Sequence, residues 1–261
     1  EAISQGLERL DGRLTYIACQ GNHDLGYIAA EHRYSQMPDY IYPERNSEFA
    51  KTLVATGANY QGVHTMENSA YEFHDNAWGD LLVISFEFAP RDEALDWARQ
   101  LIESKRFANH KVIILTHSFL ATNGERIVEE GYKLTPRNWA QAVWEKLIYP
   151  SKNVYMVLCG HTGNTPKLEG DGKVDYQPTT SYRVDKAADG RNVVQMMFNS
   201  QCGDGSWNGN GGDCWLRILE FKPDGKTIGV RTFSPLFAIS RRTQQLAWRT
   251  DAYDQFEIVL E

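Results

Sequence analysis

The sequence lacks any apolar run long enough to cross a membrane, and it carries no excess of positive charge. Its 27 lysines and arginines are outnumbered by 34 aspartates and glutamates, and the net charge of −7 gives no electrostatic footprint for nucleic acid. No internal repeat or low-complexity linker divides the chain. We therefore expect residues 1–261, of which 42% are apolar, to form a single domain with one large core.

Cysteine is scarce, with four residues in the chain. Cys19 and Cys159 lie in predicted buried strands, where a free cysteine behaves as a small hydrophobic residue. Cys202 and Cys214 flank a glycine-rich loop, and a disulfide between them would reduce the conformational entropy of that loop. We therefore expect this bond and, with it, a secreted or periplasmic protein.

One short polar stretch, Gly21-Asn22-His23-Asp24, follows the apolar residues 14–19. Apolar β-formers ended by glycine predict a buried strand that delivers its last residues to the edge of a sheet. Asn22 offers a neutral oxygen ligand, His23 can exchange a proton near neutral pH, and Asp24 can orient the imidazole. Gly21 would allow a sharp turn. The alternative is a polar turn capped by its own side chains.

Two further apolar stretches end in a histidine. Residues 111–118 contain His117 after a strand-like run, and residues 154–161 end at His161 in the same way. If these strands are neighbours in one sheet, Asn22, His117 and His161 converge on half of a metal site.

These stretches, Gly-Asn-His-Asp, Thr-His and Gly-His in that order, resemble the signature blocks of the calcineurin-like metallophosphoesterases. Residues 86–98 and 211–221 are similar to the secreted bacterial branch of that family, and the resemblance covers most of the chain. It implies an α/β fold in which two mixed β-sheets pack as a sandwich flanked by helices.

The resemblance also implies metal-dependent hydrolysis of a small phosphate ester at a dinuclear centre. The complete enzyme would hold two divalent or trivalent transition metal ions (Fe, Mn or Zn), and this chain would supply ligands for one of them through Asn22, His117 and His161. His23, oriented by Asp24, would protonate the leaving alkoxide or stabilise its charge. No nucleic-acid partner and no membrane span are expected.

Some elements of the family pattern are missing from these residues. No Asp-x-His and no Gly-Asp-x-x-Asp block occurs, and Gly160-His161-Thr162-Gly163 lacks the last histidine of the common Gly-His-x-His form. We expect the absent blocks and their strands to lie in an N-terminal segment outside the sequence. The chain as it stands would then be inactive by itself.

Aromatic residues suggest where a substrate could bind. Residues 25–62 are rich in tyrosine and irregular, which is typical of a cleft wall and equally of an aromatic-packed surface excursion. Trp207 and Asn208, in the glycine-rich loop, are weaker candidates for substrate binding. The alternative function is a catalytically inactive secreted module that grips a glycan or protein through these aromatic loops.

Periodicity predicts the remaining elements. A strand at residues 81–86, a helix capped by Asp92 and the strand before His117 predict a βαβ unit. A second helix is expected to begin at Thr135-Pro136. Residues 163–190 are predicted to be a loop, and residues 125–130 a solvated acidic face. Strands at 193–198, 215–221 and 227–233 are expected to form the second sheet.

Overall fold

Two β-sheets form the framework of the computed structural model, which describes residues 2–163, 179–201 and 212–260. No helix in these ranges is long and apolar enough to cross a membrane. The strands are β1 Leu53–Ala58, β2 His64–Asp75, β3 Gly79–Ser85, β4 Lys111–Leu115, β5 Val154–Cys159, β6 Thr179–Lys186, β7 Asn192–Asn199, β8 Leu216–Phe221, β9 Thr227–Phe233, β10 Trp248–Arg249 and β11 Phe256–Val259. The helices are α1 Ala2–Leu7, α2 Met37–Tyr40, α3 Phe49–Thr52, α4 Asp92–Glu103, α5 Ala140–Val143 and α6 Pro235–Ala238. A π-helical turn, Trp144–Ile148, continues α5, and short 3-10 turns occupy Asn22–Asp24 and Gln244–Leu246.

The larger sheet has seven strands in the order β1-β2-β3-β4-β5-β7-β6. Its central strands β3, β4, β5 and β7 are parallel, and antiparallel strands flank them on both sides. The predicted βαβ unit is confirmed, because α4 connects the parallel neighbours β3 and β4. The carboxyl ends of parallel strands meet at one edge of a sheet, so the residues that follow β4 and β5 lie side by side.

The smaller sheet consists of β8, β9, β10 and β11, with β9 paired to each of the other three. All of these pairs are antiparallel, so the expectation of a second mixed sheet is wrong for this layer. The reason is local. The turn between β8 and β9 is short, with Gly225 in the left-handed region at φ 71°, and such a connection joins only antiparallel neighbours.

The two faces of the larger sheet pack against different layers, which confirms the sandwich flanked by helices. Ile113 of β4 packs between the sheets with Met156, Ile228 and Val230. The neighbouring Val112 and Ile114 point to the opposite face, as the two-residue period of a strand requires. There the core is formed with helical residues that include Leu95, Ala98, Ile102, Val143 and Leu147.

Residues 14–19 form no strand, contrary to the prediction. Both edges of β3 are already paired, to β2 and β4, so no ladder position is open there. Side chains hold this segment instead. Ser85 Oγ donates to the Ala18 carbonyl oxygen over 3.1 Å, and Gln20 Nε2 donates to Glu67 Oε1 over 2.7 Å. The segment still delivers Gly21 to the carboxyl edge of the sheet.

Several other element predictions need correction. The strand predicted at 193–198 is β7, and it joins the larger sheet beside β5. Its apolar run suits a strand buried on both faces. Part of the predicted loop 163–190 is strand β6.

The predicted helix starts also need correction. The helix predicted from Thr135 begins at Ala140, because Trp139 is still extended. Asp92 is the first residue of α4 rather than its cap, and its carboxylate accepts a hydrogen bond from Lys146 over 2.7 Å.

Candidate functional site

The Asn22–Asp24 turn begins the site. Asp24 Oδ2 accepts a hydrogen bond from the Gly21 N–H over 2.7 Å, which closes the turn from within. Gly21 has φ −104° and ψ 176°, an extended conformation open to any residue. Its glycine is required for another reason, since a Cβ there would lie 2.9 Å from His117 Cε1. The predicted role of Gly21 in a sharp turn is therefore replaced by close packing on an imidazole.

His117 and His161 each lie two residues beyond the end of a parallel strand, β4 and β5. The Gly160 N–H donates to the His117 carbonyl oxygen over 2.9 Å and ties the two strand ends together. His161 has φ 68°, a left-handed conformation that is strained for a residue with a side chain. Asn199 Nδ2 donates to the His161 carbonyl oxygen over 3.0 Å and supports that backbone.

The three predicted ligand residues converge. Asn22 Oδ1 lies 3.0 Å from His117 Nε2, although the two residues are 95 positions apart in sequence. His161 Nδ1 lies 3.1 Å from the same nitrogen. Ligand atoms about 2.1 Å from one transition metal ion and at right angles to each other are about 3 Å apart, so this spacing fits a shared metal ion. In the described part of the chain no group of three or more His, Cys, Asp or Glu residues has the geometry of a metal site. The present cluster differs from such a group because its third member is the amide of Asn22.

The electrostatics of the cluster keep His117 neutral. Burial, together with the nearby His161 and His23, lowers the pKa of His117 to about 4. At neutral pH the ring is therefore uncharged, which is the form of imidazole that binds metal ions. Asn22 is buried as well, with 4% of its surface exposed. The Asn22 amide oxygen and His117 Nε2 lie within hydrogen-bonding distance, and the tautomer of the imidazole decides which of its nitrogens carries the proton.

Glu130 and Tyr132 contact two of the predicted ligand residues, and neither is a predicted site residue. Glu130 Oε1 lies 2.9 Å from His161 Nε2, and Ser118 Oγ donates to Glu130 Oε2 over 2.9 Å. Asn22 Nδ2 donates to the Tyr132 hydroxyl oxygen over 3.0 Å. The predicted solvated face at 125–130 is thus wrong for Glu130, whose side chain is 14% exposed. No periodic or motif signal marks either residue in the sequence.

An aromatic floor lies under the cluster. The Phe88 ring meets the rings of His117, Tyr132 and His161, with centroid separations of 5.7, 5.4 and 6.0 Å. Phe88 is fully buried and also packs on Trp139. Apolar surface therefore closes one side of the cluster.

His23 is exposed, and the group that orients its ring is not the predicted Asp24 but a backbone carbonyl oxygen. Its Nδ1 lies 2.8 Å from the backbone oxygen of Ile28. In the described part of the chain no hydrogen bond joins the Asp24 carboxylate to the His23 ring, and Asp24 Oδ2 accepts from the Gly21 N–H instead. A carbonyl oxygen only accepts hydrogen bonds, so it fixes a proton on Nδ1 and leaves Nε2 directed away from the turn.

A cavity of about 970 Å³ adjoins His23 and is lined in part by the tyrosine-rich residues 25–62. Four aromatic rings at or beside this cavity are in edge-to-face contact: Tyr27 on His32, His32 on Tyr34, and Tyr34 on Tyr60, with centroid separations of 5.2, 5.4 and 6.1 Å. The three tyrosines are exposed and His32 is half-buried. We call these four residues the aromatic row.

The remaining predictions concern the glycine-rich loop and the cysteines. Trp207, Asn208 and Cys202 lie outside the described residues, so the Cys202–Cys214 disulfide and the weak substrate contacts stay predictions. Burial raises the pKa of Cys19 and of Cys159 to about 12, and both thiols stay protonated, as expected of small core residues.

Comparison with known proteins identifies relatives of this chain. The family model for calcineurin-like phosphoesterases matches residues 2–164. Uncharacterized protein YvnB of Bacillus subtilis (strain 168) is 24% identical over 257 residues, which cover 95% of this chain and 16% of YvnB. The chain thus spans a small part of that relative's length. NAD nucleotidase (NadN) of Haemophilus influenzae aligns in structure with a TM-score of 0.32 at 8% identity, covering 70% of this chain and 28% of that chain.

Proposed function

Because the chain belongs to the calcineurin-like phosphoesterase family, we propose that it takes part in the metal-dependent hydrolysis of phosphate esters at a dinuclear centre. The observation that carries this proposal is the convergence of Asn22 Oδ1, His117 Nε2 and His161 Nδ1 within 3.0 and 3.1 Å. These atoms would hold one divalent or trivalent transition metal ion (Fe, Mn or Zn). The ligands of the second ion would come from residues outside this sequence, which contains no Asp-x-His.

The metal, when bound, supplies charge for phosphate oxygens and lowers the pKa of water. This chain's residues hold and orient the reacting groups. Neutral His117 carries a single proton, and with that proton on Nδ1 its Nε2 lone pair would be available to the ion. The Phe88 floor excludes water from the inner side. A small phosphate ester would approach from the side of His23.

His23 is proposed as the general acid for the leaving alkoxide. Its Nδ1 proton is retained by the Ile28 carbonyl oxygen, so a second proton, on Nε2, is the one available for transfer. The imidazole is exposed and can reach a substrate without movement of the fold. Asp24 acts one step away, by closing the turn that places His23.

The experiment compares His23→Ala with the unchanged protein, for turnover of an aryl phosphate and for metal affinity, in a chain that includes the upstream blocks. We expect turnover to fall by about 10²- to 10⁴-fold, the usual contribution of a general acid, while metal affinity stays within about twofold. His64→Ala is a matched control, because His64 is also exposed and its Nδ1 also lies against a carbonyl oxygen, that of Thr56 at 2.7 Å. Equal losses of turnover and metal affinity in His23→Ala would contradict the assigned role.

A second candidate function is a catalytically inactive binding module, and the aromatic row favours it. Stacked or edge-on rings at a surface are common recognition groups for glycans and proteins. The effect of removing metal distinguishes the binding module from the hydrolase. A binding module would retain a glycan or protein ligand after removal of metal, whereas a hydrolase would turn over an aryl phosphate only when metal is present.

We also propose that residues 1–261 form one domain and that the protein is exported. A single protease-resistant core would support the first proposal. A Cys202–Cys214 bond, visible as a mass difference of about two hydrogens between oxidised and reduced samples, would support the second.

A further inference from the structure

The short segment that contains Glu130 and Tyr132 lies behind the proposed metal ligands, and it belongs to none of the family blocks. We propose that Glu130 and Tyr132 are positioning residues, each of which holds one ligand in the orientation that the metal requires. This inference rests on the proposed function, because it assigns a role to residues around the same metal site.

Glu130 acts on His161. The His161 ring has one nitrogen toward the cluster, with Nδ1 3.1 Å from His117 Nε2, and its other nitrogen, Nε2, lies 2.9 Å from Glu130 Oε1. An imidazole that donates one N–H to a carboxylate presents the lone pair of its other nitrogen to a metal ion, and the carboxylate makes that nitrogen a stronger ligand. Glu130 is itself held by Ser118, and its side chain is largely shielded from solvent.

Tyr132 acts on Asn22. A carboxamide has an oxygen that can bind a metal ion and a nitrogen that cannot, and the two ends are nearly equal in size. Asn22 Nδ2 donates to the Tyr132 hydroxyl oxygen over 3.0 Å, which turns Oδ1 toward His117. The Tyr132 ring is fixed in turn against Phe88 at a centroid separation of 5.4 Å. The Tyr132 hydroxyl oxygen therefore favours the orientation of the amide in which Oδ1 faces the cluster.

The two positioning residues are separated only by Gly131, so one stretch of backbone controls two of the three ligands. Asn22 and His161 come from distant parts of the sequence, and the segment contacts both of them. Glu130 also adds a negative charge beside a ligand set that is otherwise neutral, which favours a divalent cation at the centre of the cluster.

The test is isothermal titration of the metal-free protein with Mn²⁺. We expect Glu130→Gln and Tyr132→Phe each to weaken binding by about 10- to 100-fold, the usual effect of losing such a partner. Glu130→Ala should lose more than Glu130→Gln, because glutamine keeps an oxygen that accepts from His161 Nε2. The visible spectrum of the Co²⁺ form should change in the same variants, whereas the melting temperature of the metal-free protein should not.

Matched controls are available nearby. Glu129→Gln removes a neighbouring carboxylate whose side chain is 75% exposed and whose partner is Arg137, at 3.7 Å. Tyr182→Phe removes a hydroxyl from a half-exposed tyrosine that packs on Phe256. Both controls should bind Mn²⁺ as the unchanged protein does. If the unchanged protein binds no Mn²⁺, the proposed function fails. If it binds and Glu130→Gln and Tyr132→Phe bind equally well, only the positioning role is overturned.

Discussion

Gly21→Ala is the substitution that most sharply tests the packing of the site. The new Cβ would lie 2.9 Å from Cε1 of His117 and 3.1 Å from both ring nitrogens, whereas ordinary contacts begin at 3.4 Å. The backbone angles of Gly21, φ −104° and ψ 176°, suit alanine, so the effect would come from this contact alone. The imidazole would have to retreat by about 0.5 Å to restore a normal contact.

A shift of that size is large for a metal site, since metal–ligand distances deviate from their usual values by no more than about 0.2 Å. We therefore expect Gly21→Ala to weaken Mn²⁺ binding by about 10-fold or more. Overpacking should also lower the free energy of unfolding of the metal-free protein by about 1–3 kcal/mol.

The assays are calorimetric titration for metal affinity and urea denaturation for stability. Gly6→Ala is the control, because a Cβ at Gly6 meets nothing within 4 Å. It should leave metal affinity unchanged. Unaltered Mn²⁺ affinity in Gly21→Ala would refute the reasoning, because it would mean that His117 does not need the space that glycine provides.

Two further predictions concern stability. Asp24→Ala removes the carboxylate that accepts from the backbone N–H at the start of the turn, and urea denaturation should show a loss of about 1 kcal/mol. For Asp185, burial acts to raise the pKa, but hydrogen bonds from Arg183, Gln195 and Arg126 outweigh it and lower the pKa to about 2. Because the folded-state pKa lies below the ordinary value, Asp185→Asn should cost about 2 kcal/mol at pH 7, and this cost should shrink as the pH falls from about 4 toward 2. A cost independent of pH would contradict that assignment.

The convergence of His117 and His161 was predictable from sequence because it depends on strong local signals. The runs of β4 and β5 are apolar and rich in β-branched residues, and each ends two residues before its histidine. Once these strands are parallel neighbours, the histidines must share an edge. The prediction therefore needed only that β4 and β5 be parallel neighbours, and the connection between them runs through the helix α5.

Residues that act through tertiary contacts could not be predicted in the same way. Glu130 follows other acidic residues, and nothing in the chain distinguishes it from its exposed neighbour Glu129. The sequence at Gly21 predicts a turn, because glycine is common in turns. The sequence does not reveal that the His117 ring occupies the space where a Cβ would lie. Residues 14–19 have the composition of a strand, yet strand formation depends on an open partner edge, and β3 has none.

The most direct test of the central claim is the metal content of this 261-residue chain after loading with Mn²⁺ and removal of free metal, measured by elemental mass spectrometry. We expect about one ion per chain, as three convergent ligands for a single ion require, and loss of that ion in His117→Ala. An unchanged protein that retains no ion, or a His117→Ala variant that retains it in full, would contradict the assignment of Asn22, His117 and His161 as a metal site.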